Sequence, residues 1–177
     1  MADRAKFKRV FEKDIFENVR PVLPDASKYR GKGIPVINRA SAGVTTDYQP
    51  VVVAGGHVGE YHGALQYLDR DGLDDPYLFA VLVCGASMEP ALYDGDYVIL
   101  SPLHPGRPHV QIHAGQVGLV RVGPGGKHPG NALARFAGQS GGVMRFTKDN
   151  PKFKGFEVEV ENVEQLAVAV QRRTARV

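Results

Sequence analysis

The chain has 177 residues, which is enough for one well-formed hydrophobic core and too few for two large domains. Apolar residues make up 43% of the sequence and charged residues 23%, with a formal net charge of +3, a balance that is typical of a globular protein and excludes a disordered chain. Because the sequence has neither an apolar run of membrane-spanning length nor a signal segment, we expect a cytoplasmic protein with no membrane contact.

The N-terminal segment predicts a helix followed by a linker. Apolar residues recur at helical spacing over residues 7–19, and prolines and glycines then interrupt residues 20–35. About thirty residues cannot hold a helix-turn-helix domain. We therefore interpret residues 1–33 as a helix and an arm, without a DNA-reading domain. The basic clusters near both ends are interpreted as solvated segments.

The region from residue 34 to 177 predicts a mostly β domain. Short apolar runs, often β-branched, alternate there with Gly and Pro clusters, which favours an antiparallel, partly barrel-like sheet with short helical turns. Residues 59–68 are predicted as a short helix or turn. The single cysteine, Cys84, excludes an internal disulfide and is expected to be a small buried side chain. The predicted strands are residues 34–37, 50–54, 77–84, 97–100, 117–122, 131–137, 143–146, 156–160 and 166–170.

A candidate nucleophile lies between two of these strands, in the segment CGASMEPALYDGDYVIL at residues 84–100. A strand that ends at Gly85 would expose Ser87 at a sharp turn, and the DGD triplet would then reverse the chain into the next strand. A serine hydroxyl becomes a nucleophile only beside a base and backbone N–H groups that receive an oxyanion. By itself, a short Gly-x-Ser-Met motif is more often an ordinary turn.

The complete string resembles the active-site signature of the LexA-type self-cleaving repressors, which are Ser-Lys dyad serine peptidases with a LexA/signal-peptidase-like β fold. The same resemblance extends over residues 34–173 and implies a cleavage site at Ala42-Gly43, upstream of the serine. It also implies an oxyanion hole formed by N–H groups around Ser87 and Met88. The matching residues of the signature are Gly85, Ser87, Met88, Pro90, Asp94, Gly95 and Asp96.

The lysine that this resemblance implies is missing. In the family, a buried lysine with a lowered pKa accepts the serine proton, but the corresponding segment NALARF has Ala134 at that position. Arg135 cannot replace it because a guanidinium stays protonated, and Lys127 lies in a Gly/Pro-rich loop that is typical of an exposed amine. Three explanations are open: a deliberate Lys to Ala change that traps the uncleaved chain, a natural loss of activity, or a misalignment around the insert at residues 101–116. Retention of the other parts favours the first.

The histidines suggest a competing interpretation. His104, His109 and His113 have spacings that a metal site could use, but they lie in a Pro/Gly loop without Cys, Asp or Glu at ligand spacing. We therefore expect no metal. The sequence also has no phosphate-binding glycine loop or dinucleotide fingerprint, so we expect no cofactor.

The resulting hypothesis is a regulatory domain of a LexA-like repressor in the SOS response to DNA damage. Its substrate is its own Ala42-Gly43 bond. Because position 134 is Ala, we expect this chain not to cleave itself. The resemblance implies activation by a recombinase (RecA-type) filament on single-stranded DNA, and contact with DNA only through a separate N-terminal domain absent from this chain. It also implies a homodimer formed through the C-terminal strand, whose middle is apolar on both faces. The alternatives are a UmuD-like mutagenesis factor, a signal-peptidase-like enzyme, or a catalytically dead dimerisation or binding module.

Overall fold

The computed structural model describes residues 33–41 and 67–174. The predicted helix at residues 7–19, the strand at 50–54 and all but the last two residues of 59–68 lie outside these ranges. Within them, nine strands account for most of the regular structure, so the prediction of a mostly β domain is confirmed. The strands are β1 (Ile34–Ser41), β2 (Tyr67–Leu68), β3 (Phe79–Cys84), β4 (Tyr97–Pro102), β5 (Val117–Val122), β6 (Gly130–Ser140), β7 (Val143–Thr147), β8 (Phe156–Glu159) and β9 (Val163–Arg173).

The strands form one mixed sheet in the order β2-β1-β3-β4-β9-β5-β6-β7-β8, which is not closed into a barrel. Most neighbours are antiparallel, as predicted, but β1 runs parallel to β3 and also makes one parallel pairing with β6. The sheet is therefore mixed rather than wholly antiparallel. A sequence pattern of period two cannot show this difference, because it specifies which face a side chain occupies and not the direction of the neighbouring strand.

Most predicted strands lie where the patterns place them, with shifted ends. β5 has the predicted bounds, whereas β1 and β9 are longer than predicted, and the two-residue strand β2 was not predicted. The end of the run predicted as a strand at 156–160 instead begins a short 3-10 turn at Val160–Asn162. Strand ends depend on the neighbouring strand, which is why they are the least predictable feature.

The core explains the apolar middle of β9. This strand pairs with β4 on one side and β5 on the other. Leu166 and Val168 pack into one buried cluster and Ala167 into another. Burial within the chain therefore accounts for a pattern that is apolar on both faces, and the pattern does not by itself require a second chain.

Candidate active site

Ser87 lies in a compact turn, residues 85–92, which is the first part of the connection between β3 and β4; we call it the serine turn. Gly85 has φ 92°, a left-handed conformation that favours glycine, and its N–H donates to Asp94 Oδ1 at 2.8 Å. Within the turn, Leu92 N–H donates to Met88 O at 2.9 Å. The Gly at position 85 and the Asp at position 94 of the motif are thus explained by the shape of the turn.

Asp96, the second aspartate of the DGD triplet, links the end of the serine turn to β9 through its side chain. Asp96 is buried, its Oδ2 accepts the Tyr93 N–H at 2.9 Å, and it forms an ion pair with Arg172 Nε at 2.8 Å. Arg172 also donates to Ala91 O at 2.9 Å. A residue that was interpreted as part of a solvated basic end therefore has a structural role.

Ser87 itself is fully buried, and within the described ranges no group hydrogen-bonds its Oγ. The neighbouring Met88 side chain is also fully buried and packs in the same cluster as Leu133 of β6. Packing of the Met88 side chain in this cluster restricts the position of the turn and therefore of Ser87. A buried hydroxyl without a partner loses hydrogen bonds to water, so this geometry is unfavourable unless another group engages it.

The loop between β7 and β8, residues 148–155, binds the serine turn directly. Asn150 donates from its backbone N–H to Ser87 O at 3.0 Å and from Nδ2 to Ala86 O at 2.9 Å. The preceding Asp149 accepts two hydrogen bonds from Arg135 of β6, at 2.8 and 2.6 Å. The β7–β8 loop therefore connects the nucleophile to the strand on which the family lysine is expected.

Position 134 lies at the centre of β6, where Ala134 is fully buried and pairs with Gly118 of β5. Arg135, the next residue, is held by Asp149 and donates to Gly115 O at 2.6 Å. The hydrogen bond to Asp149 raises the pKa of Arg135 further above its usual value. Arg135 is therefore a permanently charged structural residue and not a proton acceptor.

A different lysine reaches this part of the sheet. Lys148 Nζ donates to the carbonyl oxygen of Leu133, the residue before Ala134, at 2.8 Å, and lies 5.4 Å from the centre of the Phe156 ring. Burial lowers the pKa of Lys148 from 10.5 to about 8. A larger fraction of this amine is neutral near physiological pH than of an exposed lysine.

The strand that precedes the expected cleavage site, β1, pairs both with β3, which leads to the serine turn, and with β6, which contains position 134. Ser41, the last residue of β1, pairs with Cys84 of β3 and also with Ala132 of β6. Ala42 and Gly43 follow directly in the sequence but lie outside the described residues. Since β1 is parallel to β3, its direction is the same as that of the chain leading from Cys84 towards Ser87.

The model of the Peptidase S24-like family matches residues 35–170, which is more than half of the chain. The chain belongs to the Peptidase S24-like family. This confirms the resemblance to LexA-type proteins and the extent inferred for it. A search of the curated proteins gives no match.

In this member of the Peptidase S24-like family, Met88 of the serine turn packs in the same cluster as Leu133, the residue before position 134, whereas Lys127 has no such contact with the buried core. Lys127 is exposed in the turn between β5 and β6, and the strand from Gly130 to Ala134 spans about 13 Å. His104, for its part, accepts the Gly106 N–H with Nδ1 at 2.9 Å. No helix in the described ranges is long and apolar enough to span a membrane.

Two features near the S24 site differ from what the sequence suggested. Cys84 is only partly buried, because β3 ends there beside the serine turn, so the expectation of a buried side chain was wrong. Lys148 was not recognised as a site residue at all. A signal was present, because Met144 and Phe146 are buried while Arg145 and Thr147 are exposed, and the same alternation directs Lys148 to the core face.

Proposed function

We propose that this chain is the self-cleavage domain of a LexA-like repressor, with its own Ala42-Gly43 bond as substrate and Ser87 as nucleophile. The observation that carries the proposal is the pairing of Ser41 with both Cys84 and Ala132. The expected scissile bond begins one residue further along. A chain that continues in this direction delivers the Ala42 carbonyl to the serine turn without a separate binding step, and such intramolecular delivery lowers the entropic part of the barrier.

The reaction follows from the groups at the site. Ser87 Oγ attacks the Ala42 carbonyl carbon as a neutral amine takes the hydroxyl proton, and backbone N–H groups around Ser87 and Met88 stabilise the oxyanion. The protonated amine then donates its proton to the Gly43 nitrogen, and the C–N bond breaks to leave an ester on Ser87. A water molecule, deprotonated by the same amine, hydrolyses the ester and restores the hydroxyl.

The regulatory context rests on the resemblance. A repressor of this type is cytoplasmic and acts as a homodimer. It is induced to cleave itself when a recombinase filament on single-stranded DNA favours docking of the segment that contains the cleavage site. Cleavage separates this domain from a DNA-binding domain. Regulation is then conformational, because the substrate is always attached and only its docking changes.

A second candidate function is a non-cleaving docking and dimerisation module, and Ala134 favours it. The family's base is absent from position 134, and Arg135 is permanently charged. In this alternative the arm still docks along β3 and β6, but the bond stays intact. The two candidates differ in whether any amine can take the proton of Ser87.

The substitution Ala134→Lys tests whether this domain can cleave the Ala42-Gly43 bond once a lysine stands at position 134. Because position 134 is fully buried, we expect a lysine there to have a pKa below its usual value of about 10.4. Cleavage between Ala42 and Gly43 then rises with pH and levels off once the amine is neutral. Mass spectrometry of the purified chain identifies fragments 1–42 and 43–177. The Ala134→Lys/Ser87→Ala double variant serves as the control and stays intact.

Two results would contradict the proposed function. One is an Ala134→Lys variant that folds, as judged by circular dichroism, yet stays intact from pH 6 to pH 11. The other is cleavage that continues in the presence of Ser87→Ala, since this would place the nucleophile elsewhere.

A further inference from the structure

Lys148, the first residue after β7, lies beside the part of β6 that contains Ala134. Phe146 belongs to the same buried cluster as Ala134, and Lys148 follows Phe146 by two residues, so it extends towards the same face of the sheet. The contact of its ammonium group with the Phe156 ring, which packs against that cluster, supports this orientation. Its Nζ is held by the carbonyl next to position 134.

The same loop holds the nucleophile. Asn150 binds Ser87 O and Ala86 O, and Lys148 precedes Asn150 by two residues, a span of at most about 7 Å along the chain. A lysine side chain has a flexible four-carbon stem. For the amine to act on Ser87, that stem has to rotate and exchange the Leu133 carbonyl for the Ser87 hydroxyl. Ser87 Oγ, for its part, has no hydrogen-bond partner among the described residues.

We propose that Lys148 is the general base of this chain and replaces the family lysine missing at position 134. This inference rests on the proposed self-cleavage function and gives it a proton acceptor. When the segment that contains Ala42 and Gly43 docks, Nζ moves from Leu133 O to Ser87 Oγ and takes the hydroxyl proton as Oγ bonds to the Ala42 carbonyl carbon. It then passes the proton to the Gly43 nitrogen as the peptide bond breaks. The expectation of an inactive chain, which was based on Ala134 alone, is then replaced by one of a slow, pH-dependent cleavage.

The electrostatic surroundings favour a neutral amine. Burial lowers the pKa of Lys148 to about 8. Among the described residues, several charged groups of the elements around it have partners of their own. These groups are Arg135 of β6 with Asp149, Arg145 of β7 with Glu157 of β8, and Asp94 at the serine turn with the Gly85 N–H.

The test compares self-cleavage in the full chain and in three single variants. We expect the unmodified chain to cut between Ala42 and Gly43 with a rate that rises tenfold per pH unit below about pH 8 and levels off above it. Lys148→Met keeps the apolar stem and lowers the rate by about 100-fold or more, which is the usual contribution of a general base. Lys148→Arg keeps the charge and the donor to Leu133 O but is equally slow. Lys154→Met, an exposed lysine of the same loop, is the matched control and cuts at the unmodified rate.

The Ala134→Lys and Ala134→Lys/Lys148→Met chains separate the inference from the function on which it rests. Fast cleavage by the double variant shows that loss of Lys148 leaves the fold and the docking intact. If the unmodified chain stays intact while Ala134→Lys cleaves, or if Lys148→Met cleaves as fast as the unmodified chain, Lys148 is not the base and the self-cleavage function stands. If neither the unmodified chain nor Ala134→Lys cleaves, both proposals are overturned.

Discussion

Ser87 is positioned by a residue that lies far from it in the chain. Asn150 makes two hydrogen bonds to carbonyl oxygens of consecutive residues in the serine turn, Ala86 and Ser87, which lie 64 and 63 positions before it. Two bonds to adjacent carbonyls restrict both the position and the tilt of the turn, whereas one bond restricts its position only. The nucleophile is therefore oriented by a neighbouring loop as much as by its own strand.

We expect the substitution Asn150→Ala to slow self-cleavage more than it destabilises the fold. It removes the bond to Ala86 O, which is worth about 1 kcal/mol of unfolding free energy, but leaves the backbone bond to Ser87 O. A small displacement of a nucleophile reduces its rate by about 10- to 100-fold. Rates measured in the Ala134→Lys background, with urea unfolding in parallel, provide the comparison. Lys152→Ala, an exposed neighbour, is the control, and an unchanged rate in Asn150→Ala would show that the turn holds its own shape.

At the scale of elements, the segment between β4 and β5, residues 103–116, is anchored by a buried charge. Arg107 donates to Asp75 Oδ2 at 2.5 Å and to Pro102 O at 2.8 Å, and lies over the Tyr77 ring. Burial alone would raise the pKa of Asp75, but hydrogen bonds, led by that from Ser101, and the Arg107 charge outweigh it and lower the pKa below its usual value. A segment that the sequence presents as a Pro/Gly loop is thus fixed to the segment that precedes β3.

We predict that Arg107→Met destabilises the protein by about 2 kcal/mol, because it leaves the Asp75 carboxylate without its cationic partner. This value is below that for fully buried pairs, since Asp75 keeps 24% of its side chain exposed while Arg107 keeps 6%. The carboxylate has a lowered pKa in the folded state, so the stabilisation is present above about pH 4 and is lost as the pH falls through the folded-state value.

Urea unfolding at pH 7 and at pH 3 measures both effects, and the difference between Arg107→Met and the unmodified chain should shrink at the lower pH. The matched control is Arg145→Met, which breaks an exposed ion pair with Glu157 and should change stability by less than about 0.5 kcal/mol. Equal effects of the two substitutions would show that the Asp75 cluster contributes no more than a surface pair.

At the scale of the whole molecule, one sheet buries apolar side chains on both faces, and the exposed apolar surface of the described residues is small. The large hydrophobic side chains exposed there are Tyr93, Phe153 and Val170. Tyr93 is covered in part by the Arg172 guanidinium, 5.3 Å from its ring centre. Val170 is 47% exposed and lies in the second half of β9, the region through which the resemblance implies dimer formation.

We therefore expect a homodimer whose interface includes Val170. Light scattering at micromolar concentration should give twice the monomer mass for the unmodified chain and a lower mass for Val170→Glu, because burial of a charge at an interface is unfavourable. Phe153→Glu, at a similarly exposed position in the β7–β8 loop, should leave the mass unchanged. A monomer mass for the unmodified chain would rule out this assembly.

The sequence by itself determined the class of fold, the approximate places of most strands within the described residues, the serine turn and the family. These features depend on local patterns: alternation of period two, Gly at a left-handed turn, and a motif within twenty residues of chain. The side-chain alternation from Met144 to Phe146 also contained the signal for Lys148, although its target could not be read from it.

Only the tertiary structure decided which groups meet at the site. β1 runs parallel to β3, Lys148 donates to Leu133 O, and Asn150 makes two bonds to the serine turn. The two side-chain bonds join residues 15 and 64 positions apart in the chain. Contacts of this kind depend on the order and register of strands, which a single sequence does not encode in any local pattern. The physical reason is that a side chain's face is set by its own strand, whereas its partner is set by the strand that packs beside it.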